Sequence, residues 1–398
     1  MKIEELTNYC LNCKNKPCVK DCPLENNIPD IINFVKQEKY IEAYNELSKT
    51  TIMPSICGRI CPHSKQCEGN CTRGIKGEPV QIGKIEAFIG DFALKNNIKY
   101  EKKDDYNNYS VAIIGAGPAG LTATTFLARE GINVTIFEKE NYLGGLLVHG
   151  IPEFRLDKNI VKNVIQNILD LGVKIENKSF IPNINNYNAI LLSTGANEPI
   201  KLNIEGEDLE YVYQANTLLK ENNHPKYIDK TVVIIGGGNV AMDAARTIKK
   251  LDAKEVIVLY RRSENEMPAE KNEIEEAKNE GIKFIFNTKP LKICNNKIEC
   301  IKTETDENRT LKDIPNSNYS INADYIVSAI GSKIDKTFIQ DFELELNEKG
   351  YVKVDENNMT SKKGIFACGD LIGTKATVAF ACRSGRDTAE NILNFLND

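Results

Sequence analysis

Eight of the twelve cysteines in this 398-residue chain fall within its first 71 residues: Cys10, Cys13, Cys18, Cys22, Cys57, Cys61, Cys67 and Cys71. The N-terminus, "MKIEELTNYC", has neither a basic segment nor an apolar core of the kind that marks secretion. A cytoplasmic, reducing location is therefore expected, and there clustered thiols bind metal rather than pair as disulfides. The first run, "CLNCKNKPCVKDCP", has the spacing C-x2-C-x4-C-x3-C-P, and the second, "CPHSKQCEGNC", has C-x5-C-x3-C. A structural zinc site presents two tight cysteine knuckles, and only Cys10 and Cys13 form one here. A run of four cysteines closing on Cys-Pro is the spacing of iron–sulfur ligation, to which soft anionic thiolates are suited. Residues 1–103 are expected to wrap around such centres as a helical domain. Apolar positions at helical spacing over "IPDIINFVKQEKYIEAYNEL" and from Ile82 onward predict its helices.

Beyond the polar stretch "KYEKKDDYNNY", taken as a linker, the pattern changes to alternating strands and helices. "SVAIIGAGPAGLTATTFLAREGINVTIFEKE" reads as a buried strand, a glycine turn, a helix and a second strand. "TVVIIGGGNVAMDAARTIKKLDAKEVIVLYRR" repeats that unit. Duplicated βαβ units predict an α/β fold with parallel sheets covered by helices. The apolar runs fall far short of the roughly 20 residues that span a bilayer. A net charge of −5 gives no electrostatic reason to bind nucleic acid or an anionic membrane.

The two glycine turns lead into strands with different endings. Gly115, Gly117 and Gly120 give the tight turn, the close approach of a pyrophosphate and the close helix packing of a dinucleotide site. Glu138 ends the second strand, where a carboxylate accepts both hydroxyls of an unphosphorylated ribose, as in FAD. In the second unit Gly236, Gly238 and Ala241 occupy the same three places, but its strand runs into Arg261 and Arg262. Arginines there pair with a 2′-phosphate, so NADP(H) is expected over NAD(H). Two dinucleotide sites of different preference imply hydride passing between cofactors.

Taken together, the cysteine runs, "GAGPAGL", "GIPEFRLDK", "STGA", "GGGNVAMDAAR", "YRRSENEMPAE" and "FACGD" resemble the small-subunit family of NADPH-dependent glutamate synthase along essentially the full chain. The same module occurs in electron-bifurcating ferredoxin:NADP oxidoreductases and at the N-terminus of dihydropyrimidine dehydrogenase. The resemblance implies FAD, NADP(H) and two [4Fe–4S] clusters, one on Cys10, Cys13, Cys18 and Cys71, the other on Cys22, Cys61, Cys67 and Glu86. A plain count of thiols would substitute Cys57 for Glu86, but Cys57 matches no ligand position of the motif. For FAD the resemblance adds Lys139, Gly144, Gly145, Leu146, Arg155, Thr194, Gly195, Gly369, Asp370, Thr377 and Val378. For NADP(H) it adds Asn239, Val240, Asp243, Ala329 and Gly331. It implies two nested Rossmann-like domains, the FAD domain (104–225 and 324–398) interrupted by the NAD(P)H domain (226–323). The function so implied is an electron-input subunit that passes single electrons to a larger catalytic partner or a ferredoxin-like acceptor, without a catalytic side chain. Cys368 stands where the family commonly has glycine. Two other readings are a disulfide reductase of thioredoxin-reductase type, which would need a C-x-x-C near flavin, and an iron–sulfur redox sensor.

Overall fold

Proline opens two of the N-terminal helices, α1 (Ile28–Lys36) and α3 (Pro54–Ile60). Its fixed φ suits the first turn, and the N–H it lacks would find no partner there. The stretch expected as a single helix is divided into α1 and α2 (Tyr40–Leu47). Glu38 turns left-handed at φ 57°, and the Lys39 N–H donates back to the Phe34 carbonyl at 3.0 Å, which closes α1 before α2 begins. The last long helix of the region, α4 (Ile82–Lys95), begins where the periodicity placed it. The structure is a computed structural model and describes residues 3–103, 108–177, 186–221 and 223–397.

Helices α3 and α4 approach almost backbone to backbone. A Cβ on Gly58 would lie 2.4 Å from the Ala87 nitrogen and 2.5 Å from the Gly83 carbonyl oxygen, and one on Gly90 would lie 2.3 Å from the Ser55 nitrogen. Glycines at these contacts let two helices carrying metal-ligand candidates face each other closely.

The chain then builds strand β1 (Ser110–Ile114), helix α5 (Pro118–Arg129), and strands β2 (Asn133–Glu138), β3 (Lys174–Asn177) and β4 (Ala189–Leu192). A second sheet comes next, with β5 (Val212–Gln214), β6 (Thr231–Ile235), helix α6 (Asn239–Lys250), β7 (Glu255–Leu259), β8 (Lys283–Ile285) and β9 (Tyr325–Ser328). The chain returns to the first sheet with β10 (Ile365–Ala367) and ends in the 20-residue helix α7 (Val378–Asn397). Both sheets are parallel, in the orders β10-β4-β1-β2-β3 and β5-β9-β6-β7-β8. In each, the chain moves outward from the strand before the glycine turn and then crosses to its other side. The glycine turns after β1 and β6 therefore sit at the topological switch points, where open α/β sheets hold ligands.

Two compact units result. The first comprises Met1–Val148, Glu153–Ala196 and Ile334–Asp398, and the second His149–Pro152 and Asn197–Lys333. The second sheet reaches beyond both boundaries drawn from sequence. Strands β5 and β9 pair with each other beside β6, so the Tyr325–Ser328 strand serves the nicotinamide-type sheet rather than the FAD-type sheet. Apolar strands of this length carry no mark of which sheet they join.

Within the first unit the cysteine-rich helices are bound to the nucleotide fold by specific contacts. Arg386 of α7, 7% exposed, donates to the Leu24 carbonyl at 2.7 Å, and Arg383 pairs with Glu25 at 2.9 Å. Arg129 at the end of α5 donates to the Ser48 carbonyl at 2.8 Å. The expected linker is stitched down as well: Lys99 reaches Asn167 and Asp170 at 2.7 Å each, and Lys102 reaches the Leu171 carbonyl at 2.8 Å. Residues 104–107 of it lie outside the described residues. Arg386→Ala strands the Leu24 carbonyl, and is expected to lower stability by about 2 kcal/mol in a urea titration of the purified protein.

Candidate functional site

The cysteines separate into two groups. Cys10, Cys13, Cys18 and Cys71 line one pocket of about 360 Å3, its open mouth included, together with Ile28, Ile32, Val80 and Ile82. Burial, and then the nearness of Cys10 and Cys71, push the Cys18 thiol up to about 11. Cys13 Sγ lies 3.3 Å from the Thr72 hydroxyl. All four are partly exposed, whereas Cys22, Cys57 and Cys67 are buried.

The second group is Cys22, Cys61, Cys67 and Glu86. Burial pushes Cys22 up to about 12, with Glu86 and Cys61 adding to it. Cys67 is held well above the usual thiol range by burial and then by Cys22, Glu86 and Cys61. Burial likewise raises the Glu86 carboxyl to about 8. The Asn26 amide donates to it at 3.5 Å, and Asn26 is itself fixed by the hydroxyls of Thr50 and Thr51 at 2.6 Å each. The Glu68 carboxylate nearby raises the Glu86 carboxyl further. A buried acid beside neighbouring thiols favours its charged form only if positive charge is brought among them. Among the described residues no three His, Cys, Asp or Glu side chains converge on the point a single metal ion would fill.

Cys57 is fully buried one helical turn before Cys61, and the neighbouring thiols of Cys382 and Cys61, together with burial, hold its own thiol well above the usual range. The Cys382 thiol in turn points at the Pro118 carbonyl, 3.9 Å away.

Around the first glycine turn, the three glycines have three distinct surroundings. Gly115 has φ +99°, and a Cβ there would meet the Ser193 carbonyl oxygen at 2.7 Å. A Cβ on Gly120 would lie 2.1 Å from the Gly115 oxygen, so helix and turn are in contact. Gly117 faces open space with nothing within 4 Å of such an atom, at the N-cap of the twelve-residue helix α5. That is a cradle for an anion, with free N–H groups and the positive end of a helix dipole. Gly145 lies against it, its Cβ position 3.1 Å from Gly117 Cα, and the Gly144 N–H donates to the Ala116 carbonyl at 2.8 Å. Glu138, 8% exposed, accepts from the Ala116 N–H at 2.8 Å and the Glu140 N–H at 3.0 Å. Each carboxylate oxygen keeps a lone pair for a further donor.

Thr194 borders the same turn, its Cα 3.0 Å from where a Gly115 Cβ would be, and Gly195 has φ +74°. Asp370 comes after Gly369 in a short 3-10 turn, its carboxyl raised by burial and touched by the Thr374 hydroxyl at 3.3 Å. Thr377 immediately precedes α7, accepting from the Ala381 N–H through its carbonyl at 3.0 Å, and Val378 opens that helix. Arg155 is half-buried in the turn before the next helix, and Lys139 and Leu146 are exposed. Cys368 has the ordinary extended φ of −148° and is fully buried, so a side chain replaces the expected glycine without strain.

The second turn repeats the plan in its own unit. Gly236 has φ +151° with a hypothetical Cβ 2.3 Å from the Ala329 oxygen, Gly238 faces open space, and the methyl of Ala241 is buried. Asn239 accepts from the Glu270 N–H at 2.9 Å, which braces the helix start. Val240 is 38% exposed, Asp243 is buried within α6, and Gly331 has φ +115°. The two arginines are not equivalent: Arg262 pairs with Glu266 at 3.4 Å, whereas the Arg261 side chain is exposed.

Residues without a recognisable motif of their own support these sites. Gly58, Gly83 and Gly90 permit the α3–α4 approach, and Asn26 anchors Glu86. Glycines seven apart on one helix, as in "GKIEAFIG", are the signal in the sequence that could have found that approach.

Comparison with known proteins places this geometry in a family. Residues 109–385 match the family described as pyridine nucleotide-disulphide oxidoreductase, and residues 2–98 match dihydropyrimidine dehydrogenase domain II, 4Fe-4S cluster. The NADPH glutamate synthase small chain of Halomonas elongata is 33% identical, over 98% of this chain and 89% of its own. The chain belongs to that family. It is an NAD(P)H-dependent oxidoreductase of the FAD and 4Fe-4S type, and the open glycine cradles and gathered thiols fit those groups. The Escherichia coli NAD-dependent dihydropyrimidine dehydrogenase subunit PreT is also similar, at 30% identity over 97% of this chain and 92% of its own. Mycobacterium tuberculosis FprA in complex with NADPH shares the fold, with a TM-score of 0.63 at 17% identity over 73% of this chain and 85% of that one. No helix among the described residues is long and apolar enough to cross a membrane.

The unequal surroundings of the glycines have a measurable consequence. Gly117→Ala is expected to leave urea stability within about 0.5 kcal/mol of the parent. Gly120→Ala, which forces atoms into the turn, is expected to cost about 2 kcal/mol.

Proposed function

We propose that this chain is the electron-input subunit of a larger redox enzyme of the glutamate synthase type, oxidising NADPH and delivering single electrons to a partner subunit. The observation that carries this reading is the sorting of the N-terminal thiols into two sets, within the same compact unit as the first dinucleotide cradle. When bound, flavin supplies the conversion between two-electron hydride chemistry and one-electron transfer to iron–sulfur centres.

The chain's own residues bind and position. Gly115, Gly117 and Gly120 admit the FAD pyrophosphate to the start of α5, and Glu138 takes the ribose. Gly144, Gly145, Thr194 and Gly195 border the same dinucleotide, while Asp370 serves the ribityl chain. The backbone at Thr377 and Val378 presents the N-terminus of α7, which favours negative charge on the flavin. Gly236, Gly238 and Asn239 admit the nicotinamide dinucleotide to α6. Arg261 is the residue for a 2′-phosphate, because Arg262 is already engaged by Glu266. Cys10, Cys13, Cys18 and Cys71 hold one [4Fe–4S] cluster; Cys22, Cys61, Cys67 and Glu86 hold the other. The only C-x-x-C, Cys10 and Cys13, shares its pocket with Cys18 and Cys71, which removes it from a disulfide-reductase role.

That relatives are named small chains and subunits supports a partner holding the substrate chemistry. The likeness to PreT supports a second reading, in which the partner is a dihydropyrimidine dehydrogenase subunit and NADH the donor. The donor is decided by steady-state dye reduction. Arg261→Ala is expected to lower kcat/KM for NADPH by about tenfold to a hundredfold, the worth of one charge-assisted hydrogen bond, and to leave NADH turnover unchanged. Equal effects on both would favour the second reading. Glu86→Ala is expected to abolish or move one of two [4Fe–4S] signals in the EPR spectrum of the reduced protein, leaving the other. Two unaltered signals would overturn the ligand assignment.

A further inference from the structure

The second dinucleotide cradle holds, beside its two arginines, a carboxylate that is fixed in place. After β7 the chain runs through Tyr260, Arg261 and Arg262 into a single 3-10 turn, Glu264–Glu266, with Ser263 as its N-cap. One oxygen of the Glu266 carboxylate accepts from the Ser263 N–H at 3.1 Å, the Ser263 hydroxyl at 2.6 Å and the Thr305 hydroxyl at 3.4 Å. The other oxygen accepts from the Arg262 guanidinium at 3.4 Å. Ser263 and Glu266 form a reciprocal capping box, so the turn itself sets the position of the carboxylate, with or without Arg262.

The arginines stand on the same frame. The Thr303 hydroxyl donates to the Arg261 carbonyl at 2.7 Å, the Asn287 N–H to the Arg262 carbonyl at 3.0 Å, and the Tyr260 hydroxyl to the Glu266 carbonyl at 2.9 Å. Backbone and anion are therefore held to one another, and Arg262 carries a fixed counter-charge. At 3.4 Å the contact is long, so its effect is chiefly that of charge. A guanidinium facing a carboxylate that is ionised at neutral pH presents little net charge to a third group. Arg261 is exposed and keeps its own charge. A 2′-phosphate arriving here meets the net charge of one arginine, where the sequence shows two.

We propose that Glu266 is the specificity-determining residue of the second dinucleotide site: by holding Arg262 it reduces the positive charge offered to a 2′-phosphate, and so narrows the preference for a phosphorylated over an unphosphorylated nicotinamide dinucleotide. This rests on the reading of Arg261 as the residue for that phosphate. An arginine–phosphate pair is charge-assisted, whereas the ribose hydroxyl of an unphosphorylated dinucleotide carries no charge for either group to act on. Glu266 thus acts on one of the two ligand classes only, which separates this role from that of bracing the turn. Specificity is a difference of affinities, set as much by what is withheld from one ligand as by what is offered to the other.

The test is calorimetric titration of full-length, FAD- and cluster-loaded protein with adenosine 2′,5′-bisphosphate, which carries the 2′-phosphate, and with 5′-AMP, which lacks it. Glu266→Gln keeps the acceptor that the capping box needs and removes the charge. It is expected to bind the bisphosphate about tenfold more tightly, the low end of the worth of one charge-assisted hydrogen bond, and AMP within about twofold of the parent. Adding Arg262→Ala to it is expected to remove that gain. Arg261→Ala is expected to weaken bisphosphate binding in the parent and in Glu266→Gln alike. An unchanged or weaker affinity of Glu266→Gln for the bisphosphate, with AMP binding intact, would overturn the proposal while leaving the reading of Arg261 in place. Equal changes for both ligands would also overturn it, since Glu266 would then act through the fold of the site. Bisphosphate affinity unmoved by Arg261→Ala would instead overturn the reading of Arg261, and the proposal with it.

Discussion

A carboxyl group buried beside the thiols of Cys22, Cys61 and Cys67 is a costly arrangement. Taking one ionised group out of water costs several kcal/mol unless it is paired. Glu86 meets that cost with a long hydrogen bond from Asn26, and its carboxyl is raised accordingly. The cost is reversed if the cavity receives a positively charged centre, because thiolate and carboxylate donors then become its compensation. Folding of the N-terminal region and loading of its clusters are, on this view, parts of one equilibrium.

The rest of the first unit serves to hold that pocket in register with a dinucleotide cradle. Helices α3 and α4 approach through glycines, which brings Cys61, just past the end of the first, near Glu86 on the second. Helix α7 carries three separate duties along its length. Its start adjoins Thr377 and Val378, its middle packs through Gly385 against Ala119 of α5, and Arg383 and Arg386 clasp the loop just after Cys22. Electron transfer needs fixed separation between centres, and this helix touches both surroundings, as does α5 through Arg129.

Much of the chemistry was readable in the linear sequence because it depends on local spacing. A glycine turn between an apolar strand and a helix has one dominant use, and the fourfold cysteine run leaves few alternatives. Other features were hidden. The break at Glu38 came from a left-handed residue that helical periodicity does not reveal. Strand β9 joined the second sheet because partner choice is a long-range property of apolar strands that look alike. Arg261 and Arg262 look equivalent in the sequence, yet only the folded chain brings Glu266 to one of them.

The sequence by itself determined the cofactor classes and the two nucleotide units, since backbone torsions, helix dipoles and thiolate softness act within a few residues. Only the tertiary structure decided which cysteines share a pocket, that Glu86 lies with three of them, and that Cys57 is buried beside Cys382 and Cys61 instead of lining the first pocket. Those outcomes depend on helices far apart in the chain meeting through small residues, and no local pattern encodes where a distant surface will come to rest.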